Sequence, residues 1–345
     1  MDVNDTDSDR WDNPKAFEIP PWRWNVSVSI CMAVFGVLGN SALLLVILLN
    51  RHLRTTSNIL VCNLAVADLM MFVVNVPMST VSWLFISWPT GAFGSFLCKA
   101  GGGAWVLSQA LCATSLTAVS IERYFSLHRR VQMKRTLAIL LVVWTIGLLF
   151  TIPVLVVGHT YYIPYFDVHI CRQLPDHWLA IRGYITAYAL LTYFLPVLVI
   201  TSCYAAMARV LCCGGVSGES VASVRARHRL AIVVLLLAIV FAVFWFPYHF
   251  FYMFFLYSDY DTMEHVYKNF ELYMRLIEIA HVLIYVNSCL NPFVVFVLSG
   301  VHRQPLLDSF RGRFYRRNRK AAAGQPRRYA PVPEGVYAET TLSVQ

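Results

Sequence analysis

Seven runs of predominantly apolar residues, each long enough to cross the ~30 Å hydrocarbon layer of a bilayer, divide the chain. They fall at roughly Val28 to Leu49, Ile59 to Phe85, Ala100 to Ile121, Leu137 to Val157, Tyr184 to Val210, Leu230 to Leu256 and Leu272 to Leu298. Lipid offers the backbone no water to bond, so such runs must close their hydrogen bonds internally, as helices. The expected fold class is an all-α membrane protein, a seven-transmembrane helix bundle. Composition points the same way. Of 345 residues, 58% are hydrophobic and 14% charged, and the mean hydropathy of +0.57 is too high for an ordinary soluble globule.

Charge sets the expected orientation. The loops after the first, third and fifth spans, with the tail, carry Arg51, Arg54, Arg129, Arg130, Lys134, Arg135, Arg225, Arg227, Arg229, Arg303 and the basic run from Arg311 to Lys320. The alternate loops hold only Lys99, Arg172, Arg182 and Lys268. The positive-inside rule then gives an outside amino terminus and a cytoplasmic carboxyl terminus. Three regions follow: an extracellular tail over residues 1–26, a seven-transmembrane domain over 27–299, and a cytoplasmic amphipathic helix with tail over 300–345. The acidic start lacks the basic flank and apolar core of a cleavable leader, so the first helix is expected to direct insertion. Much of the net charge of +9 reads as topological bias plus attraction to anionic membrane lipid, and no nucleic-acid partner is expected. After the seventh span, Val301, Leu306, Leu307, Phe310 and Phe314 stand among arginines. That spacing suits an amphipathic helix on the inner surface, with Pro305 able to confine it to the residues that follow; a disordered basic tail is the alternative.

Asn4 and Asn25 begin glycosylation sequons on the expected outer side, Asn4 being better placed because Asn25 abuts the first span. Among nine cysteines, Cys98 and Cys171 are the two at expected outer positions, and they can pair as a disulfide in an oxidising compartment. Cys212 and Cys213 are candidates for free thiols or palmitoylation.

Polar residues inside lipid are costly and therefore informative. Asp68 lies deep in the second span with no cation near it in sequence, and Asn40, Asn287, Ser288 and Asn291 sit at similar depth. Together they can form a hydrated core holding sodium or a proton; a static hydrogen-bond cluster is the plainer reading. Glu122-Arg123-Tyr124 closes the third span. Its arginine can pair locally or be released, or it can simply snorkel. Pro153, Pro196, Pro247 and Pro292 interrupt four spans and are potential kinks. Trp245 stands beside the third of them, as a ligand sensor or as ordinary packing. Glu271, Arg275, Glu278, His281 and Tyr285 recur at three or four residues and share one helix face. With Asp259, Asp261 and Glu264 they suggest an acidic rim suited to a basic or amidated peptide, unless the loop charges are merely solvated. No hydrolase, phosphate-loop or metalloprotease motif is present, so neither an enzyme nor a metal site other than sodium is expected.

These motifs, in order, resemble the rhodopsin-like (class A) G protein-coupled receptors over about residues 28 to 315. The matching residues are Gly39-Asn40, Leu64-Ala65-Val66-Ala67-Asp68, Cys98, Glu122-Arg123-Tyr124, Trp144, Cys171, Pro196, Tyr204, Phe244-Trp245-Phe246-Pro247 and Asn291-Pro292. The resemblance implies that Arg123, flanked by Glu122 and Tyr124, contacts a heterotrimeric G protein, with Tyr204 supporting the active state. It implies that Trp245, Pro247, Asn291 and Pro292 relay the change between the two ends. It further implies an allosteric sodium site at Asp68, Asn287, Ser288 and Asn291, where Cys112 replaces the usual serine. Val295, followed by Phe296, replaces the usual tyrosine of the seventh helix. Trp105 occupies the position at which amine receptors carry an aspartate, and the seventh span has no retinal-binding lysine. The candidate ligand contacts are Trp105, Gln109, Arg182, Glu278, His281 and Tyr285. The stretch from Asn287 to Phe296 looks like the bombesin, endothelin and CCHamide receptor branch, with galanin- and allatostatin-like receptors also open. The expected function is reception of an extracellular, neuropeptide-like ligand; the alternative is a constitutively active or scavenger-type receptor. Few tail hydroxyls, chiefly Ser309, Thr340, Thr341 and Ser343, leave arrestin an open partner.

Overall fold

A computed structural model describes residues 24–84, 87–128, 136–164, 167–174, 177–213 and 221–310. Seven of its helices are long and apolar enough to cross a membrane. The first is Trp24–Leu49. The second runs Thr56–Met70, passes through a π-helical turn at Met71–Asn75 and continues as Val76–Leu84. The third and fourth are Gly91–His128 and Thr136–Val157. The fifth is Trp178–Ala189, a second π turn at Leu190–Phe194, and Leu195–Cys213. The sixth and seventh are Val221–Tyr257 and Phe270–Leu298. Short helices at Tyr260–Lys268 and Gly300–Phe310 flank the last span.

Several helices outrun the apolar segments that announce them. The third begins nine residues before Ala100 and ends seven after Ile121, and the sixth begins at Val221 rather than Leu230. Hydropathy reports where lipid is crossed, whereas a helix continues until its backbone finds another partner. The first helix likewise starts at Trp24, inside the segment assigned to the tail; Asn4 lies outside the described residues.

An antiparallel hairpin, β1 (His159–Ile163) and β2 (Val168–Arg172), pairs Thr160 with Cys171. It is an element the hydropathy pattern does not reveal. A disulfide from Cys171 to Cys98 seats it on the third span, with the Cα atoms 5.4 Å apart. Its edge is fixed further by the loop before that span, where Trp88 N–H donates to the His169 carbonyl at 2.7 Å and Trp88 Nε1 to the Gly94 carbonyl at 2.9 Å. Gly94 has to be glycine there, since a Cβ would sit 1.7 Å from the Pro89 carbonyl oxygen.

The bundle is built inside out relative to a soluble protein. Phe35, Leu137, Val156 and Leu198 are exposed, which suits a lipid solvent, while Asn40, Asp68, Gln109, Ser115, Asn287 and Asn291 are buried. The third span is the axis, packing against the second, fourth, fifth and sixth. Polar atoms fasten it: Trp144 Nε1 donates to Asn63 Oδ1 at 2.9 Å and Asn63 Nδ2 to Ser115 Oγ at 2.8 Å, joining three helices. Proline leaves its own signature in the seventh. Pro292 cannot bond the Ser288 carbonyl, and that oxygen instead accepts from Asn40 Nδ2 of the first span at 3.1 Å.

After Leu298 the chain turns at Ser299, whose hydroxyl lies 2.7 Å from His302 Nδ1. The following helix starts at Gly300 and carries Pro305 within it, so the proline does not confine the helix to the residues beyond it. Val301 is exposed and Leu306 half-buried, while Phe314 lies outside the described residues. Burial, and then the nearby charge of His52, push the His302 imidazole down to about 4. That is below the ~6.5 of an unfolded histidine, so the stability held by the neutral ring is complete above pH 6.5 and lost as pH falls toward 4. Between pH 7.5 and 5 the purified protein is expected to lose about 2 kcal/mol through this group. Thermal melts of His302→Asn should show a flatter acid slope, and an unchanged slope would contradict the assignment.

Candidate functional site

Buried polar and aromatic side chains line the bundle axis from the disulfide end to the Arg123 end, in three tiers. In the first tier Trp105 is the hub. Its ring lies 5.3 Å from His281, 5.5 Å from Tyr248 and 6.1 Å from Trp245, and its Nε1 donates to Tyr248 Oη at 3.1 Å. One turn along the third span, Gln109 is fully buried and fully used. Its Nε2 contacts His249 Nε2 at 2.5 Å and Thr192 Oγ1 at 3.5 Å, and its Oε1 accepts from the Tyr188 hydroxyl. An amide nitrogen only donates, so His249 Nε2 accepts and the ring carries its proton on Nδ1. His249 also stacks on Tyr193 at 4.7 Å. This network joins the third, fifth and sixth spans directly above Trp245.

The six candidate ligand contacts therefore divide. Trp105, His281 and Gln109 converge at this tier, whereas Tyr285 contacts Ser79 at 3.3 Å and Phe72 at 6.3 Å. Glu278 lines a small cleft with His281 and Tyr285. Arg182 stands apart. Its Nε and Nη2 donate to the Leu256 carbonyl at 3.2 and 3.1 Å, and it lies over the rings of Trp178 and Tyr257. The last carbonyls of a helix attract a cation, and the end of the sixth span takes this one. Tyr188, Thr192, Tyr248 and His249 are absent from the expected set, although Tyr248 and His249 fall one turn after Trp245, which was a usable signal.

The acidic rim is largely occupied with its own helices. Glu264 pairs with Lys268 at 2.7 Å and Glu271 with Arg275 at 2.5 Å. Asp259 accepts from the Thr262 N–H at 3.0 Å, and Thr262, side chain first and backbone second, holds that carboxyl below its usual value. Asn25 is the second residue of the first helix and is 5% exposed, its Oδ1 accepting from the Val26 N–H. That placement does not suit a glycan acceptor, which needs an exposed loop.

In the middle tier, Asp68 Oδ2 accepts from Asn291 Nδ2 at 2.8 Å, with Ser288, Cys112 and Asn287 beside it. In this tier, Asn40 Oδ1, both ends of the Asn287 amide and Asn291 Oδ1 have no hydrogen-bond partner among the described residues, and neither has Trp245 Nε1 in the tier before it. Buried polar atoms are almost always satisfied by protein, water or an ion. One carboxylate with three unsatisfied amide oxygens is a donor set for a hard cation, which takes oxygen ligands. The Cys112 thiol is the poorly matched member. Among the described residues, no group of three or more His, Cys, Asp or Glu could hold a transition metal.

The third tier is the Arg123 end. Arg123 Nε lies 2.9 Å from Glu122 Oε2 and donates to Ser57 Oγ at 2.8 Å, while that hydroxyl donates to the same carboxylate. Ser57, on the second span, is a member of this cluster that the motif alone does not disclose. Tyr124 packs edge-on against Phe125. The Tyr204 hydroxyl is buried near Arg123 and Ser120 with no hydrogen bond of ordinary geometry. Val295 faces inward at 2% exposure while Phe296 is only half-buried, so the aromatic ring is not a simple stand-in for the missing tyrosine.

A bundle of seven spans with these three tiers defines a class, and the family description "7 transmembrane receptor (rhodopsin family)" matches residues 39–294. The chain belongs to that family and is a multi-pass membrane protein. It is 29% identical over 295 residues to the neuropeptide CCHamide-1 receptor of Drosophila melanogaster, covering 79% of this chain and 57% of that one. It is 26% identical to galanin receptor 2b of Danio rerio, with 85% and 77% covered. It is 27% identical to the allatostatin-A receptor of Bombyx mori, with 82% and 81% covered. The chain thus spans little more than half the length of the CCHamide-1 relative.

Proposed function

We propose that the chain is a plasma-membrane receptor for an extracellular, neuropeptide-like peptide, which binds at the disulfide end and drives nucleotide exchange on a heterotrimeric G protein at the Arg123 end. Three relatives named for peptides or peptide families support the ligand class. The surplus of arginine and lysine beside the Arg123 end supports its cytoplasmic placement. The observation that carries the reading is the Arg123–Glu122–Ser57 cluster, a local lock that can be exchanged for contact with a partner.

The mechanism is a population shift. A peptide that contacts Trp105 and the Gln109–His249–Tyr188 network bears on Trp245. Pro247 lies two residues further on, where the helix lacks one backbone hydrogen bond and bends at low cost. Swinging the inner half of the sixth span outward opens a crevice at Arg123, which leaves Glu122 and Ser57 and turns toward Tyr204 and the G protein. A sodium ion held by Asp68 with the amide oxygens of Asn287 and Asn291 would stabilise the resting arrangement by supplying the middle tier with positive charge. Asn4 is the better glycan acceptor in this scheme.

Membranes containing the receptor and a purified G protein, screened against amidated peptides for guanine nucleotide exchange, test the reading. At least one peptide should raise exchange well above the basal rate. High basal exchange that no peptide alters would overturn it.

A further inference from the structure

The sixth span is held differently on the two sides of Pro247. Its outer segment, Tyr248 to Tyr257, is about 15 Å long and is fastened at both ends. Beside the proline, His249 contacts Gln109 of the third span at 2.5 Å and stacks on Tyr193 of the fifth at 4.7 Å. At the far end, Leu256 is the penultimate residue of the helix, where a carbonyl has no partner within the helix. Arg182 of the fifth span supplies one, its Nε and Nη2 converging on that oxygen at 3.2 and 3.1 Å. The neighbouring Tyr257 lies along the same stretch of the fifth span. Its ring is 5.0 Å from the Arg182 guanidinium, and its hydroxyl is 2.7 Å from Thr186 Oγ1, one turn on. Trp178, one turn the other way, covers Arg182 at 5.2 Å. Toward the seventh span, Phe254 and Phe255 meet Tyr273 ring to ring at 6.3 and 6.2 Å, an apolar packing with no fixed bond direction.

On the inner side of Pro247 the hold is lighter. Among the described residues, the side-chain hydrogen bond there to the fifth span runs from Tyr193 Oη to the Ala242 carbonyl at 2.7 Å, with both partners neutral. The outer tie instead carries a full charge, and charge-assisted bonds are the stronger kind. Arginine suits that place for two reasons. A cation is favoured at the C-terminal end of a helix, and the planar fork sends two N–H groups to one oxygen while lying against rings. A lysine would keep the charge and lose the fork.

Resting on the reading above that the inner half of the sixth span swings, we propose that Arg182 is a positioning residue for that motion. It pins the outer end of the sixth span to the fifth, so that a push at Trp245 bends the helix at Pro247 instead of tilting it as one rod. A rod that tilts about the pocket tier moves its two ends in opposite directions. A helix fastened at both ends of its outer segment yields beyond the proline, where one backbone bond is missing. The inner arm, from Val221 to Phe246, is the longer of the two, so a small bend becomes a large displacement at the Arg123 end.

The test uses full-length receptor in lipid nanodiscs, with trifluoromethyl-phenylalanine encoded in turn at Phe255, on the outer segment, and at the exposed Ile239 of the inner arm, read by fluorine NMR. In the receptor alone Phe255 should give one resonance. Arg182→Gln should split it, or broaden it roughly twofold or more, and leave Ile239 unchanged, with Arg182→Lys between the two. Purified heterotrimeric G protein, stripped of nucleotide, is then added. In the unmodified receptor Ile239 should shift and Phe255 should not, whereas in Arg182→Gln both should shift. An unchanged Phe255 resonance in Arg182→Gln alone would overturn the assignment. So would a shift of Phe255 as large as that of Ile239 in the unmodified receptor with G protein. Disturbance of both probes by Arg182→Gln in the receptor alone would mean a general structural role and would overturn it as well. G protein that moves neither probe counts against the coupling reading instead, and the pin is then decided by the receptor-alone comparison, which needs no partner.

Discussion

Replacement of Arg123 by alanine is expected to reduce agonist-stimulated nucleotide exchange by at least 100-fold, about 2.7 kcal/mol of barrier, while surface expression stays within about twofold of the unmodified receptor. The asymmetry follows from the geometry. Arg123 Nε is shared between Glu122 Oε2 and Ser57 Oγ, but Ser57 also donates to Glu122. Loss of the guanidinium therefore leaves the carboxylate with a hydrogen bond, and the desolvation cost of a stranded charge is limited. Any residual instability should be repaired by adding Glu122→Gln, which removes the charge itself. Exchange should not return in that double variant. If Arg123→Ala couples normally in a membrane exchange assay, or if Glu122→Gln restores its coupling, the arginine has no direct part in the G protein contact.

Loss of the Cys98–Cys171 bond is the second large effect. Cys98→Ser or Cys171→Ser is expected to lower surface expression roughly tenfold and to destabilise the purified protein by up to about 4 kcal/mol. That is the chain-entropy limit for a loop closed over the observed separation of 73 residues. The measured loss should fall below this limit, because helices that stay inserted in lipid never regain the freedom of an unfolded chain. It should be concentrated in the hairpin and the Trp88 loop, whose bond to His169 depends on the hairpin being seated. A reductant applied to the unmodified receptor should reproduce the shift in melting temperature. An unshifted melt in both variants would mean that packing, not the bond, holds the hairpin.

What the sequence discloses about this molecule depends on whether a residue's choices are few. Asp68 and Asn291 are legible because a carboxylate and an amide buried in lipid have to find polar neighbours, and Asn291 does donate to Asp68. The seven spans are legible for the same reason, through a solvent that penalises every unpaired backbone group. The ends of the helices are not, since Gly91 to Ala100 and Val221 to Leu230 lie beyond the segments that hydropathy senses. Nor is the Gln109–His249–Tyr188 network, whose members are 140 and 79 residues apart and whose rings read one by one as packing. Arg182 illustrates a different failure. A cation near the disulfide end has two attractive destinations, a ligand cavity or the carbonyls that end a helix, and only the three-dimensional position of Leu256 decides between them. The residues of the acidic rim divide on similar grounds, between helix partners four residues away and the pocket.

The bond from Asn40 to the Ser288 carbonyl carries a consequence for how the two ends communicate. The first span presents much of its surface to lipid and, judged by burial alone, is the helix that the bundle could most easily spare. Yet it supplies the partner for the one backbone oxygen that Pro292 releases, at the level of Asp68. The first span is therefore tied to the seventh at the point where the proline weakens its backbone ladder. Any rotation of the seventh span about Pro292 must either preserve that contact, pivoting around Asn40, or exchange it for water, which ties the ease of the motion to how well hydrated the middle of the bundle is.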